Sequence, residues 1–244
     1  GPITPLLPNF ERYVDPVTAQ FDAGYPVDGY EAPWGRAQFN FDVDTARVSD
    51  SPTSFAELAA WVKENPGRFT YPQPPDFTGS AFVRQAFYAL TGGHEQYLSE
   101  FDRELFERNA PQLWEYLNGL APYLWLEGES YPTDLAALDG LFERGEVDFT
   151  MSFTQTNAAT RINNGRYPPT VRSFVMRDGS LFNTHFLAVP FNAPNRNAGL
   201  VLINFLLSPE AQYSKNRLET WRDFTVLSID ALPAEYAERF NSLD

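Results

Sequence analysis

Residues 74–90, PPDFTGSAFVRQAFYAL, predict a helix that begins shortly after two prolines. The prolines end the preceding segment, and Thr78-Gly79-Ser80 then lead into an apolar pattern with helical spacing. The residues in that pattern are Phe82, Val83, Ala86, Phe87 and Leu90. A helix start carries unpaired N–H groups and the positive end of the helix dipole. Two occupants are open: the hydroxyl of Thr78 or Ser80 as an ordinary cap, or a ligand brought to a cleft.

Strand and helix patterns alternate on both sides of this stretch, after a proline-rich segment, 1–33, that is predicted as loop with little helix. The predicted strands are 35–44, 67–75, 147–153, 171–176 and 184–190, with a turn at 177–180. The predicted helices are 51–65, capped by Ser51 or Thr53, then 79–91, 99–119, 133–146, 157–165 and 195–216, the last broken at Ser208-Pro209. This alternation predicts an α/β layered fold, in which ligands bind at strand ends near helix starts. Thr78-Gly79-Ser80 and the stretch 152–154 lie at such junctions.

Composition excludes several classes of function. The 244 residues carry 18 basic and 32 acidic side chains, a net charge of −14, which argues against a nucleic-acid partner. The chain has no cysteine, so disulfides, thiolate nucleophiles and cysteine-ligated zinc are excluded. Only two histidines exist, which excludes a multi-histidine metal site. No cofactor is predicted.

Motifs that would indicate catalysis are missing. The sequence contains no G-x-S-x-G elbow, no phosphate-binding G-x-x-x-x-G-K-[ST] loop and no G-x-G-x-x-G fingerprint. His94 lies in a Gly-Gly-His-Glu turn and is predicted to be solvated, and His185 lies in an apolar strand and is predicted to be a core residue. Paired carboxylates of the glycosidase kind stay open, because sequence gives no separation. We therefore predict a binding protein rather than an enzyme.

Aromatic residues make up 16% of the chain, and several lie near predicted strand ends or loops. They are Tyr30, Trp34, Phe82, Phe153, Phe182 and Phe186. Aromatic walls with a few polar groups are typical of small-molecule pockets. Trp34 stands between Pro33 and Gly35 at the entry to a strand, where there is no helical face for it to fill.

Three long segments resemble extracellular solute-binding proteins of ABC importers. FLAVPFNAPNRNAGLVLINFLLSPEAQ (186–212) resembles the return segment, and VDFTMSFTQTNAATRINNG (147–165) the second-lobe strand whose end faces the ligand. The stretch 30–93 resembles the crossing strand and the helix start of that family. The likeness runs over about 8–230 and is nearest to the uncharacterised branch grouped with thiamine, iron(III) and polyamine binders.

The resemblance implies an α/β fold of the type II periplasmic-binding-protein kind, with two lobes of mixed sheet flanked by helices, joined by crossing strands and closing on a solute by a hinge motion. Residues 1–36 would end lobe one, 37–178 would form lobe two, and 179–244 would return to lobe one. It also implies a chain without the front of lobe one, a monomer when full length, a periplasmic or extracytoplasmic location and a membrane permease as partner.

The family's ligand-facing positions correspond here to ten residues: Trp34, Thr78, Gly79, Ser80, Phe153, Thr154, Gln155, Asn183, Thr184 and His185. Polyamine binders have an Asp near the position of Asn183, and iron binders have a Tyr-Tyr pair that this chain lacks. The resemblance therefore favours a thiamine-like heteroaromatic or a phosphorylated small molecule. The alternatives are an enzyme or ligand-sensing domain on the same two-lobe fold, and an interaction fragment that binds no solute by itself.

Overall fold

The structure, a computed structural model, describes residues 1–22, 24–217 and 219–243. It divides into two compact units. Unit 1 comprises Gly1–Ala37 and Phe182–Asp244, and unit 2 comprises Gln38–Leu181. The lobe limits implied by the resemblance, 36/37 and 178/179, stay a prediction about the family fold. Within the described residues, no helix combines the length and apolar character needed to cross a membrane.

Helices and strands account for most of both units. The strands are β1 (Phe21–Asp22), β2 (Tyr25–Pro26), β3 (Glu31–Gln38), β4 (Asn40–Asp44), β5 (Phe149–Ser152), β6 (Val171–Phe174) and β7 (Phe182–Ala188). The helices are α1 (Pro8–Tyr13), α2 (Phe55–Glu64), α3 (Phe77–Leu90), α4 (Arg103–Leu120), α5 (Leu135–Glu143), α6 (Asn157–Asn163), α7 (Arg196–Leu206), α8 (Pro209–Asn216) and α9 (Ala234–Asn241). Short 3₁₀ turns connect several of them.

Unit 2 is built on a three-stranded sheet with the order β5-β4-β6. Both neighbours run antiparallel to β4, and Phe41 faces Met151 on one side and Phe174 on the other. Every residue of β4 is buried. The prediction of strand over 35–44 is confirmed except for its continuity: β3 ends at Gln38 and β4 begins at Asn40, so two strands rather than one cover these residues.

Phe82 of α3 is the centre of the unit 2 core and is fully buried. Its ring centroid lies 4.5 Å from that of Tyr71, 5.7 Å from Phe55 and from Phe69, and 6.4 Å from Phe41. Aromatic pairs at these separations add to the free energy gained from burial. The helix predicted from the apolar spacing of 82–90 is confirmed, and its buried stripe is what joins it to the sheet.

The start of α3 is not the one predicted. Asp76 is the N-cap, and its Oδ1 accepts the backbone N–H groups of Thr78 at 2.8 Å and Gly79 at 2.9 Å. Neither Thr78 nor Ser80 caps the helix. A Cβ added at Gly79 would lie 1.8 Å from the carbonyl oxygen of Pro72, so the glycine is required by the close approach of two backbone segments.

Three other predictions are corrected. The segment 67–75 forms no strand, because the backbone groups of Arg68, Phe69 and Gln73 bond singly to loops rather than to a ladder. Helix α2 is capped by Ser54, whose hydroxyl accepts from the N–H of Glu57 at 3.1 Å, rather than by Ser51 or Thr53. The segment 1–33, predicted as loop, contains α1 and the start of β3.

Unit 1 packs α1 and α7–α9 around the pair of strands β3 and β7. Its buried core is Ile3, Leu7, Ala32, Ile203, Leu207, Val226, Leu227, Leu232 and Phe240. Asn9 joins α1 to α7, since its N–H donates to Asn204 Oδ1 and its side-chain amide to the Asn204 carbonyl, both at 2.8 Å. The predicted break at Ser208-Pro209 is confirmed: the Ser208 hydroxyl caps α8, and Pro209 is its first residue.

A buried carboxylate connects the sheet of unit 2 to α6. Asp42 accepts hydrogen bonds from Ser173 Oγ at 2.5 Å and Asn157 Nδ2 at 2.7 Å. Behind it, Arg161 is ion-paired with Asp139, whose other oxygen accepts from Thr150 Oγ1 at 2.7 Å. Burial raises the pKa of Asp42 from 3.8 to about 6, and the two hydrogen bonds offset part of that effect. Asp42 therefore makes the stability of unit 2 depend on pH.

We predict that Asp42→Asn changes how stability varies with pH. The raised pKa means that folded Asp42 retains a proton that the unfolded chain releases, so its stabilising contribution is complete below about pH 3.8 and is lost as pH rises through about 6. The free energy of unfolding of the wild type relative to Asp42→Asn should fall by about 2–3 kcal/mol between pH 4 and pH 7.5. Urea denaturation at both pH values measures this. The control is Asp50→Asn, a change at an exposed position. If the free energies of unfolding of the wild type and of Asp42→Asn vary with pH in parallel, the raised pKa of Asp42 is wrong.

A second prediction concerns Gly79. Gly79→Ala should lower the free energy of unfolding by about 2–3 kcal/mol, because the added methyl collides with the Pro72 backbone. Gly119→Ala is the matched control: Gly119 is also helical, its Cβ would meet nothing within 4 Å, and the change should be neutral or stabilise by up to about 1 kcal/mol. Equal melting temperatures for the two variants would show that the backbone approach at Gly79 is not required.

Candidate functional site

An aromatic pair with one exposed ring lies where the start of α3 meets the end of β5. Phe77, the first residue of α3, is 67% exposed, and its ring lies 4.8 Å from that of Phe153, which follows β5. Phe153 is half-buried and also lies 5.4 Å from the buried Phe39. Unit 2 thus brings together two of the predicted ligand-facing segments, and it adds Phe77, which was not predicted.

The residues predicted to face the ligand at the start of α3 are bonded within the helix start itself. Thr78 and Gly79 are buried, and their N–H groups are already bonded to Asp76. Ser80 is half-buried, and its N–H donates to the Asp76 carbonyl at 2.8 Å. The positive end of the helix is therefore neutralised by a carboxylate of the protein itself.

Polar groups border the aromatic pair beyond β5. Thr154 is exposed, Gln155 is half-buried, and the N–H of Thr154 donates to Ser152 Oγ at 2.9 Å. Asn40, only 3% exposed, donates from Nδ2 to the Thr154 carbonyl at 3.3 Å. Within the described part of the chain, Asn40 Oδ1 and Thr156 Oγ1 are buried without a hydrogen-bond partner. Unpartnered buried polar atoms are costly, so these two atoms are exceptions in an otherwise bonded polar region of unit 2.

In unit 1, Trp34 lies within β3 and is half-buried. The ring of Trp221, 70% exposed, meets it edge-on at 5.9 Å, and Lys215 Nζ lies 5.2 Å from the Trp34 centroid. The carbonyl of Trp34 accepts from Gln212 Nε2 at 3.0 Å. Trp34 is therefore fixed inside unit 1, and Trp221 is the more accessible of the two rings.

Lys215 is a buried cation with local partners. Its Nζ donates to Asp223 Oδ2 at 3.1 Å and to the Phe224 carbonyl at 2.6 Å. Burial lowers its pKa, and the nearby Asp223 carboxylate opposes that shift. A Cβ at Gly35 would lie 1.9 Å from Asp223 Oδ2, so the glycine leaves the space that this carboxylate occupies. The arrangement holds the strand that carries Trp34.

The other predicted residues of unit 1 lie together on β7. Asn183 is half-buried, and its Oδ1 has no partner among the described residues. Thr184 is buried, while His185 is exposed. The prediction of His185 as a core residue is therefore wrong: its side chain is exposed, between the buried Thr184 and the half-buried Phe186.

Sequence reasoning missed Phe77, Trp221 and Asn40. Phe77 lies outside the apolar stripe of α3, and that offset was the available signal. Trp221 has no periodic pattern around it, and Asn40 is a polar residue in a predicted strand with no motif to single it out. In the residues that the structure describes, there is no group of three or more His, Asp or Glu side chains able to hold a metal ion.

Known proteins with similar sequence or structure point in one direction. A sequence model described as "Bacterial extracellular solute-binding protein" matches residues 2–225. Protein YnjB of Escherichia coli (strain K12) is 38% identical over 239 residues, covering 97% of this chain. The chain spans 61% of the length of that relative.

Two solved structures share the fold at low identity. An ABC transporter protein from Clostridium perfringens ATCC 13124 has a TM-score of 0.65 and 16% identity, covering 96% of this chain and 65% of its own. A periplasmic thiamin binding protein has a TM-score of 0.57 and 18% identity. The match covers 95% of this chain and 62% of that protein. The predicted fold class, α/β of the type II periplasmic-binding-protein kind, is confirmed. The chain belongs to the bacterial extracellular solute-binding protein family.

Proposed function

We propose that this chain is the solute-binding component of an ABC importer, which captures a small molecule outside the cytoplasm for a membrane permease. Membership of a solute-binding family supports this, and so does the absence of the sequence motifs that would indicate catalysis. Each unit supplies an aromatic surface of its own, Phe77 with Phe153 and Trp34 with Trp221. The function needs binding and release and no reacting group.

We further propose that the solute carries a flat, positively charged heteroaromatic ring, as thiamine does. The observation that carries this is the exposed Phe77 ring, paired with Phe153 and next in sequence to the Asp76 carboxylate. Aromatic faces attract both flat rings and cations, and a nearby carboxylate adds to the attraction for a cation.

A phosphorylated solute was the other half of the sequence prediction. A phosphate at a helix start needs free N–H groups, and the first ones of α3 are bonded to Asp76. The same carboxylate would repel an anion placed there. We therefore rank a phosphorylated solute below the unphosphorylated cation.

We predict that thiamine raises the melting temperature of this chain more than thiamine diphosphate does. A ligand at about 100 times its Kd adds roughly 2.7 kcal/mol to the free energy of unfolding, a shift of several degrees. Phe77→Ala should abolish the shift. Phe101→Ala, a change at another exposed phenylalanine of unit 2 (71% exposed), should leave it intact.

The substitution Asp76→Asn removes the negative charge but keeps the helix cap, since asparagine caps helices about as well as aspartate. Without ligand, this variant should melt at the same temperature as the wild type. Thiamine should raise its melting temperature by less than in the wild type, and thiamine and thiamine diphosphate should give similar shifts. Spermidine and inorganic phosphate complete the screen. If phosphate or the diphosphate gives the larger shift, the assignment of a cation is wrong. If a hit is chemically converted on incubation, as followed by mass spectrometry, the enzyme alternative replaces the receptor.

A further inference from the structure

The turn that follows β5 is joined to the centre of the unit 2 sheet through Asn157. The backbone N–H of Asn157 donates to the Thr154 carbonyl at 3.0 Å, which closes a turn over 154–157. The side-chain Nδ2 of the same residue donates to Asp42 Oδ2 at 2.7 Å. Asn157 therefore connects the buried carboxylate of β4 to the turn that comes directly after Phe153, one of the two rings of the candidate site.

The side-chain amide of Asn157 is fixed in one orientation. Its Oδ1 accepts from Arg161 Nε at 3.2 Å, and a guanidinium group can only donate. Arg161 is itself held by ion pairs with Asp139 and Glu143. The Nδ2 group of Asn157 therefore faces Asp42 whether or not that carboxyl group carries a proton.

The orientation of this amide decides where a proton on Asp42 can lie. A proton on Oδ2 would meet the N–H of Asn157, a donor against a donor, whereas Ser173 Oγ, 2.5 Å from Oδ1, can accept as well as donate. The proton therefore lies on Oδ1, and Oδ2 accepts from Asn157 in both states. Hydrogen bonds to an ionised carboxylate are roughly twice as strong as those to a neutral group, so the bond from Asn157 strengthens when Asp42 loses its proton.

The groups that face Asp42 come from both neighbouring strands, from α5, from α6 and from the segment after α6. Thr150 and Ser173, opposite Asp42 on β5 and β6, do not titrate. Burial raises the pKa of Asp42 to about 6, and it also raises the pKa of Tyr167, whose phenol therefore stays neutral. Burial raises the pKa of Asp139 as well, so the Asp42 carboxyl group has to be observed directly. The charged and titratable neighbours are Asp139, Arg161 and Tyr167.

We propose that Asn157 is a positioning residue, which holds the turn that follows Phe153 more firmly when Asp42 is ionised than when it is protonated. The Phe153 ring packs on that of Phe77 at 4.8 Å, so a firmer turn gives the candidate site a more rigid aromatic surface. The effect on solute binding rests on the proposed function, whereas the hold on the turn is a property of unit 2 alone. Affinity for the solute should increase as the pH rises through the titration of Asp42.

The first test uses the chain without solute. Deuterium exchange of residues 153–157 is followed by mass spectrometry at pH 5 and pH 7.5, with rates corrected for the pH dependence of exchange in free peptides. Protection of this segment in the wild type should increase about fivefold between the two pH values, because the hydrogen bond from Asn157 to Asp42 strengthens. The contribution of Asp42 to global stability falls over the same interval, so the two effects have opposite signs and are distinguishable.

The titration of the Asp42 carboxyl carbon, followed by NMR, provides the second measurement. Asn157→Ala should raise its midpoint by about one pH unit, because a donor that favours the ionised form is lost, and should remove the pH dependence of the exchange. Asn157→Asp preserves the size of the side chain and should raise the midpoint further, because a like charge disfavours ionisation. Asn163→Ala is the matched control: it replaces an exposed asparagine of the same helix and should change neither measurement.

The third measurement is the Kd of thiamine, used as the probe, at pH 7.5. Asn157→Ala should raise it about fivefold, and Asn163→Ala should leave it unchanged. If the wild type binds no thiamine, the proposed solute is wrong, and the two measurements without solute still decide the role of Asn157. The positioning role is contradicted if protection of 153–157 in the wild type does not change with pH, or if Asn157→Ala leaves the Asp42 midpoint where it was. Equal Kd values for the wild type and Asn157→Ala would contradict the link to the candidate site.

Discussion

The hydrogen bonds of Asp42 hold unit 2 together at its centre. A carboxylate in the middle of a fully buried strand is tolerated only when its oxygens are bonded, and here the donors come from Ser173 on β6 and Asn157 at the start of α6. Asn157 is in turn bonded to Arg161, which pairs with Asp139 on α5. Sheet, α5 and α6 are therefore fixed to one another by polar contacts. The segment 153–156, which leaves β5 and enters α6, is held at both ends by this network, and it presents Phe153 from a rigid base.

Unit 1 has a buried cation at its polar centre, where unit 2 has a buried carboxylate. Its polar centre is Lys215, bonded to Asp223 and the Phe224 carbonyl and placed against the Trp34 ring. Burying a lysine is costly, and the cost is offset only because each of these contacts is made locally, within one stretch of chain and the strand it faces. Among the described residues, the buried hydrophobic core of unit 1 is smaller than that of unit 2, so these polar contacts carry a larger share of its packing.

The sequence predicted those elements whose signals are local. The apolar spacing of 82–90 gave α3, and Ser208-Pro209 gave the break between α7 and α8, because a hydroxyl cap and a proline at the first position act within one turn. The start of α3 differs from the prediction because Asp76, two residues before Thr78, caps the helix. Every residue of β4 is buried, polar Asn40 included, and no local pattern could show this. The pairing of Phe77 with Phe153 joins residues 76 positions apart, and no local spacing encodes it.

The acidity of the chain has a structural use that composition could not reveal. Of the helices in unit 2 with a side-chain cap, α3, α4 and α5 are capped by Asp76, Asp102 and Asp134. Each carboxylate occupies N–H groups that would otherwise attract an anion. Three of the 32 acidic side chains therefore bond to helix starts, where their charge opposes the binding of a phosphate. Of these three caps, Asp76 is next in sequence to Phe77, so one residue both begins α3 and places a carboxylate beside the exposed ring on which the proposed function rests.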